Sequence, residues 1–485
     1  MSNIIWTPQP KQKQFMERPE YEALYGGAAG GGKSDALLAE ALRQVHIPHY
    51  KGLILRKTFP QLAELVDRSQ ALYKRAFPKA RYNYSQHFWR FPSGAQIIFG
   101  SMQHAKDRIN YQGKAYDFVG FDELTHFTWE EYSYLFSRNR PTGPGTRVYI
   151  RATANPGGVG HGWVKERFIT AGDPLQPISS DYDVATPDGQ LIKLKRERIF
   201  VPSTVFDNKE LLANDPNYLA SLAMLPEADR NALLYGDWNS FSGQVFTEFK
   251  DDPAHYEDRQ WTHVIAPFLI PDGWKIYRGF DFGYTKPFSV GWYAVDYEGR
   301  MYRIAELYGC TSQPNTGVKY TVQKICEAIK EFEDADPNIS VYKRKGGYIH
   351  GIADPAIWQE NGGESIAETM EQHGIYWNKA DHERLGGKMQ CHYRLAFDED
   401  GYPMFYVFKN SRHFIRTIPT LVYSETKVED INTDMEDHIY DEWRYVCMEN
   451  PINPRMNHTE DRSIQEYDPL DLYKTKNNTL RRYGY

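Results

Sequence analysis

The sequence predicts an α/β protein in two parts, on three observations. Short apolar runs alternate with helical stretches through the first half, the pattern of a mostly parallel sheet wrapped by helices. A glycine-rich turn at residues 26–34, Gly-Gly-Ala-Ala-Gly-Gly-Gly-Lys-Ser, joins a strand-like run to a helix-like one. A strand-rich block begins near Trp274, where runs at 276–281, 290–296 and 301–307 read as consecutive antiparallel strands.

Along the chain, residues 22–25 make an apolar strand and residues 35–45 the helix after the turn. Further strands are expected at 52–55, 96–99, 118–121 and 147–153. The mixed segment from 168 to 238 has helical stretches at 217–225 and 227–235 and suits a small lid or linker. In the second block, Tyr297-Glu298-Gly299 supplies a hairpin turn, a helix follows over 316–334, and a strand over 348–353. After Pro451 the chain turns polar and rich in Pro and Asn, as a flexible tail does. The expected division is a nucleotide-binding core at 1–167, a lid or linker subdomain at 168–270, a second α/β domain at 271–450 and a tail at 451–485.

Composition narrows the function classes. A chain of 485 residues holds two to three domains. Its net charge of −7 argues against a uniformly basic nucleic-acid coat and leaves room for local basic patches. Thirty-five Tyr and 11 Trp allow large cores or stacking surfaces. Cys310, Cys326, Cys391 and Cys447 are too widely spaced for a zinc site, so free thiols in a reducing compartment are expected. No signal-peptide pattern and no apolar run near ~18 residues is found, so a soluble protein is expected.

Gly27, Gly32, Lys33 and Ser34 fit the phosphate-cradling pattern G-x-x-x-x-G-K-[ST], with Gly30 and Gly31 inside it. Glycines let backbone N–H groups converge on phosphate oxygens without Cβ clashes. The lysine reaches the β/γ-phosphates and the hydroxyl meets Mg²⁺. An apolar run, Phe118-Val119-Gly120-Phe121, then delivers Asp122 toward the metal and Glu123 as a base for the attacking water. Thr153-Ala154-Asn155-Pro156 closes the next strand, where Thr153 and Asn155 are candidates to sense the γ-phosphate; an ordinary turn is the plainer reading. Gln12 has the amide to read an adenine edge, and a solvated glutamine is an equal alternative. A guanidinium near the phosphoryl group helps hydrolysis, and Arg56, Arg138 and Arg140 are candidates, although such arginines more often serve surface salt bridges.

The second half offers carboxylates. Asp281 ends one apolar strand and Asp354 another, and Asp437 and Asp441 stand four apart on one helical face. Singly, such acids are common at turns. Together they would repel one another unless a cation held them, and two Mg²⁺ or Mn²⁺ ions ~4 Å apart would activate water against a phosphodiester. Glu306 is a further ligand or a strand-face glutamate.

In this order the residues resemble the large terminase subunit of tailed bacteriophages, the DNA-packaging motor. The resemblance runs from about residue 8 to residue 445. Besides the glycine-rich turn and Asp122-Glu123, it is carried by Leu55-Arg56-Lys57-Thr58-Phe59-Pro60-Gln61-Leu62, Ala152-Thr153-Ala154-Asn155-Pro156-Gly157-Gly158, Val205-Phe206-Asp207-Asn208 and Gly236-Asp237-Trp238. Asp281-Phe282-Gly283, Ala353-Asp354-Pro355 and Asp437-His438…Asp441…Arg444-Tyr445 complete it.

The family implies an ASCE-type P-loop ATPase joined to an RNase H-like nuclease. Gly27, Gly32, Lys33 and Ser34 then match Walker A, Asp122 and Glu123 match Walker B and its catalytic glutamate, and Thr153, Ala154 and Asn155 match the coupling motif. Asp281, Asp354 and one of Asp437 or Asp441 match the nuclease triad, with Asp437 favoured because it opens the Asp-His element. The finger, often supplied in trans, falls to Arg138 or Arg140.

Implied cofactors are ATP with Mg²⁺ in the first half and two Mg²⁺ or Mn²⁺ in the second. Implied partners are double-stranded DNA, a portal protein on a procapsid, a small terminase subunit and further copies in a ring, expected to be a pentamer, with no membrane. The place is the host cytoplasm, transiently on the procapsid and not in the mature virion. Residues 193–198 and 343–347 are the basic stretches that suit a DNA grip, or else solvated faces. The rival readings are a helicase–nuclease of repair or defence, which needs a second helicase lobe, and a scaffold whose ATP site only switches conformation.

Overall fold

The computed structural model describes residues 4–453 except 240, 242, 361 and 425–428. The expected tail lies, from residue 454 on, outside the described residues.

Nine strands of the first half form one sheet: β1 (Glu22–Gly27), β2 (Lys51–Arg56), β3 (Arg81–Asn83), β4 (Phe88–Arg90), β5 (Gln96–Ser101), β6 (Phe118–Phe121), β7 (Tyr149–Ala154), β8 (Ile178–Ala185) and β9 (Leu191–Ser203). Their spatial order is β3-β4-β5-β2-β6-β7-β1-β9-β8. The centre, from β5 to β9, is parallel, so all its C-terminal ends lie along one edge. β7 stands between β1, which feeds the glycine-rich turn, and β6, which carries the acids: the additional strand of the ASCE type. Both faces are covered, which is why β1 and β7 are buried at every residue. The side-chain period of two splits β2 accordingly, Leu53 and Leu55 joining one core and Ile54 the other.

The stretch expected as a lid contributes β9, which lies parallel to β1, before the short helices Lys209–Asn214, Tyr218–Ala223 and Glu227–Arg230. β8 and β9 project beyond the sheet edge as an exposed ribbon.

Seven strands form the second sheet: β10 (Val264–Ile265), β11 (Lys275–Asp281), β12 (Ser289–Val295), β13 (Met301–Tyr308), β14 (His350–Ala353), β15 (Asn378–Lys379) and β16 (Phe405–Phe408). β11, β12 and β13 are antiparallel, and β14 joins β11 in parallel, with β15 beyond it, the RNase H-like arrangement. The turn after β12 closes on Asp296, whose carboxylate accepts the N–H groups of Glu298 and Arg300, with Gly299 at φ +80°. The expected helix from 316 starts only at Val322. Gly317 bridges to Cys310 instead, and Thr321 caps the helix Val322–Ala335. The helix His438–Glu449 lies across the second sheet, with Ile439, Trp443 and Val446 in the core beneath it.

Candidate functional sites

The glycine-rich turn leaves β1 where its neighbours crowd it. Gly27 has φ +132°, and a side chain there would strike the Ser203 carbonyl at the end of β9. Gly32 has φ +70°, and a Cβ would lie 2.6 Å from Gln12 Nε2. Only glycine fits either position.

Lys33 opens the helix Lys33–Ala41 and is buried. Its ammonium donates to the Ala28 carbonyl and, at 2.8 Å, to Asn155 Oδ1. Burial lowers its pKa, against the pull of Glu123 and Asp122. Asn155 in turn donates from Nδ2 to Glu123 Oε1 at 3.0 Å and from its backbone to Oε2 at 3.2 Å. Asn155 thus spans Lys33 and Glu123, the candidate base, and fixes the glutamate's orientation. Glu123 has the left-handed φ of +57°, a conformation that costs ~1–2 kcal/mol outside glycine and that aims its side chain at Asn155.

Asp122 is fully buried. Thr153 Oγ1 donates to its Oδ1 at 2.6 Å and Ser34 Oγ at 3.0 Å, while Arg56 Nε donates to Oδ2 at 2.6 Å. Ser34 and Asp122 offer the hard oxygen donors that suit Mg²⁺. Lys33, Ser34, Asp122, Glu123, Thr153 and Asn155 therefore meet at one end of the sheet.

The other predicted residues stand differently. Both ends of the Gln12 amide are engaged by backbone: Nε2 donates to the Gly32 carbonyl at 2.8 Å, and Oε1 accepts the Gln9 N–H at 2.8 Å. Gln12 braces the loop, and Gln9 does so through Asn208, which donates to the Gly30 carbonyl at 2.6 Å. Arg138 stacks on Tyr134, and the Arg140 N–H bonds the Tyr116 carbonyl at the beginning of β6. Tyr116 is six residues of extended chain, roughly 20 Å, from Asp122, so neither arginine touches the loop of its own chain.

At the second site, β11 and β14 run side by side, with Phe280 opposite Ala353, so Asp281 and Asp354 emerge together. Asp437 stands at the N-terminus of the helix His438–Glu449 and Asp441 one turn on. His438 Nδ1 is 2.9 Å from Asp281 Oδ2. Burial first, against His438 and helped by Asp441 and Asp354, raises Asp281 to about 6. Burial and Asp441 raise Asp437 to about 8. Asp441 accepts from Arg444 at 2.9 Å, and Arg384 lies 3.8 Å away. Crowded, buried carboxylates are a donor set that suits hard divalent cations. Among the described residues, no three His, Cys, Asp or Glu side chains already converge as a ligand shell. Glu306 is used elsewhere: it accepts the N–H groups of His413 and Phe414 at 2.7 and 3.1 Å, capping the helix Arg412–Thr417.

Sequence reasoning left Glu442 unassigned. It is fully buried and pairs with buried Arg303 at 2.8 Å, and side chains at Gly279 or Gly291 would collide with it. The signal available was a glycine in each of two neighbouring apolar strands.

Both basic stretches meet acids of the same chain. Lys193 and Lys195 stand opposite Asp183 and Asp181 across the ribbon, and Arg196 stacks on Tyr21. Lys343 pairs with Asp334 at 2.9 Å and Lys345 with Asp272 at 2.5 Å.

Residues 24–250 match a family described as terminase large subunit, T4-like virus type, N-terminal. Among solved structures, the chain is similar to the large terminase of a thermophilic bacteriophage in complex with ATP-gamma-S, at 17% identity over 90% of this chain and 98% of that one, TM-score 0.37. It is similar to the HK97 bacteriophage large terminase at 10% identity over 91% and 95%, TM-score 0.42. The P22 large terminase nuclease domain matches at 17% identity over 43% of this chain and 92% of that one, TM-score 0.31. No curated protein matches.

Proposed function

We propose that this chain, whose residues 24–250 match the terminase large subunit family, is a viral genome-packaging motor. It hydrolyses ATP to drive double-stranded DNA into a procapsid and cuts concatemeric DNA with a two-metal endonuclease. The observation that supports this best is the pairing, in one chain, of the Lys33–Asn155–Glu123 bridge on a parallel sheet with the Asp281, Asp354 and Asp437 cluster on an RNase H-like one.

In this reading the triphosphate takes Lys33 from Ala28 and Asn155, and Glu123, held by Asn155, accepts the proton of the attacking water. Ser34 and Asp122 would hold a magnesium ion, which neutralises charge developing between the β- and γ-phosphates. In the second half, Asp281, Asp354 and Asp437, with Asp441 beside them, would hold two cations, and His438 orients Asp281. Phosphate contacts dominate the grip on DNA, so it is sequence-tolerant and salt-sensitive.

The expected boundaries at 167 and 270 shift, because β9 (Leu191–Ser203) belongs to the first sheet and β10 (Val264–Ile265) to the second: the proposed division is a P-loop ATPase through residue 203, a linker from there to β10, and the nuclease from β10 on. A portal, a small terminase subunit and a ring of copies in the host cytoplasm belong to the same proposal.

The test is nicking of supercoiled plasmid with Mg²⁺ or Mn²⁺. Wild type converts it to open-circular and linear forms, and Asp281→Ala does not. Absence of cutting by wild type in both metals sinks the nuclease half.

A further inference from the structure

Asp122 divides its two oxygens between different kinds of donor. Oδ1 takes the hydroxyls of Ser34 and Thr153, and Oδ2 takes Arg56, whose Nε and Nη2 each lie 2.6 Å away. The carboxylate is 0% exposed and the guanidinium 15%. Arg56 ends β2, the parallel neighbour of β6, so it stands at the same edge of the sheet as the glycine-rich turn. The chain beyond it is pinned: Lys57 holds both Glu131 oxygens at 2.8 Å, and Thr58 caps the helix Phe59–Ala76.

We propose that Arg56 is the arginine that meets the transferring phosphate, acting within its own chain. This rests on the ATPase reading. Ser34 touches Asp122 Oδ1, the oxygen that would meet a cation, and Oδ2 holds the Arg56 guanidinium beside it. The triphosphate, placed over Lys33 and Ser34, is the anion within its reach, and the planar fork of a guanidinium matches phosphate oxygens. Arg138 and Arg140, at the opposite edge of the sheet, have no such access in their own chain.

The test uses the full chain and two probes with Mg²⁺: ADP, and ADP with aluminium fluoride, which imitates the phosphoryl group in transfer. Arg56→Ala should bind ADP within about threefold of wild type, lose at least about tenfold on the fluoride complex, and turn over ATP about 10³-fold more slowly. Arg56→Lys should not restore turnover, since a point charge lacks the fork. Arg56→Gln, which keeps a donor for Asp122, should behave as Arg56→Ala and covers the case in which alanine unfolds the loop. Parallel loss on both probes, or rescue by lysine, means that Arg56 only props Asp122 and overturns the proposal. Selective loss in Arg138→Ala or Arg140→Ala with Arg56→Ala unaffected also overturns it. Lys33→Ala separates the two ideas: if it binds ATP as wild type does, the ATPase reading itself fails, whatever Arg56 does.

Discussion

Asp437 is the residue at which stability and the proposed chemistry conflict most directly. Its carboxyl is buried against Asp441 and Asp281 and titrates near 8, above its ordinary value. The raised pKa means the folded chain binds the proton more tightly than the unfolded one, so the group destabilises the fold as pH rises above the unfolded value. Asparagine keeps the shape without the charge. Asp437→Asn should therefore raise unfolding stability in chelator by roughly 1–2 kcal/mol while abolishing cleavage. Excess Mg²⁺ should raise the melting temperature of wild type more than that of the variant. Thermal melts with and without chelator decide it, and an equal response of both proteins to Mg²⁺ would remove Asp437 from the metal site.

Among the elements, the helix His438–Glu449 decides whether the acids meet. Its underside carries Glu442, clamped to Arg303 with Ser289 donating at 3.1 Å, and Gly279 and Gly291 make room for it. A buried pair adds little against an apolar replacement, but breaking it strands a charge. Glu442→Gln should cost about 3–5 kcal/mol, whereas Arg303→Met with Glu442→Leu should come close to wild type. Urea unfolding followed by tryptophan fluorescence reads both, and a cost under about 1 kcal/mol for Glu442→Gln would deny the clamp. The same element shows what patterning reveals. The four-residue spacing of Asp437 and Asp441 indicates a shared face, and the Asp-His adjacency marks the helix start. Only Gly279 and Gly291, in two neighbouring apolar strands, point to Glu442, because an acid at an inward position has no local signature of its own.

Between the two halves of the protein, the connecting segment packs Ala232, Phe241, Val245 and Phe246 into the core of the second half. Arg416 lies 3.4 Å from Glu166, Lys286 lies 3.8 Å from Glu130, and His161 stacks on Trp238 and Phe241 of the connecting segment. Two fully buried histidines, His161 and His263, must be neutral. His161 accepts the Gly157 N–H on Nδ1 and faces the Trp238 carbonyl with Nε2; His263 accepts from Lys250 and faces Leu395 in the same way. Burial lowers them to about 3 and about 4. Their contribution is present above the unfolded pKa of ~6.5 and is lost as pH falls toward the folded values. Between about pH 7 and pH 5 each should cost ~2 kcal/mol. Asp281, raised to about 6, works in the opposite direction over this range. Melting should therefore be followed in an Asp281→Asn, Asp437→Asn background, and a flat profile there would refute the histidine assignment.

The two α/β halves, the glycine-rich turn and the acids at strand ends are all legible in the order of residues. These are local matters: backbone freedom at glycine, a period of two in strands, and the rule that a strand delivers its last residue to the sheet edge. Which candidates share a site is a matter of how the strands are ordered in space. That order set β7 between β1 and β6 and so brought Asn155 between Lys33 and Glu123. It put Arg56 on Asp122 and carried Arg138 and Arg140 to the far edge. It also engaged Gln12 with the loop backbone and set the basic stretches against acids of the same chain. Pairings between distant segments follow from how sheets order and pack, and no window of sequence contains both partners.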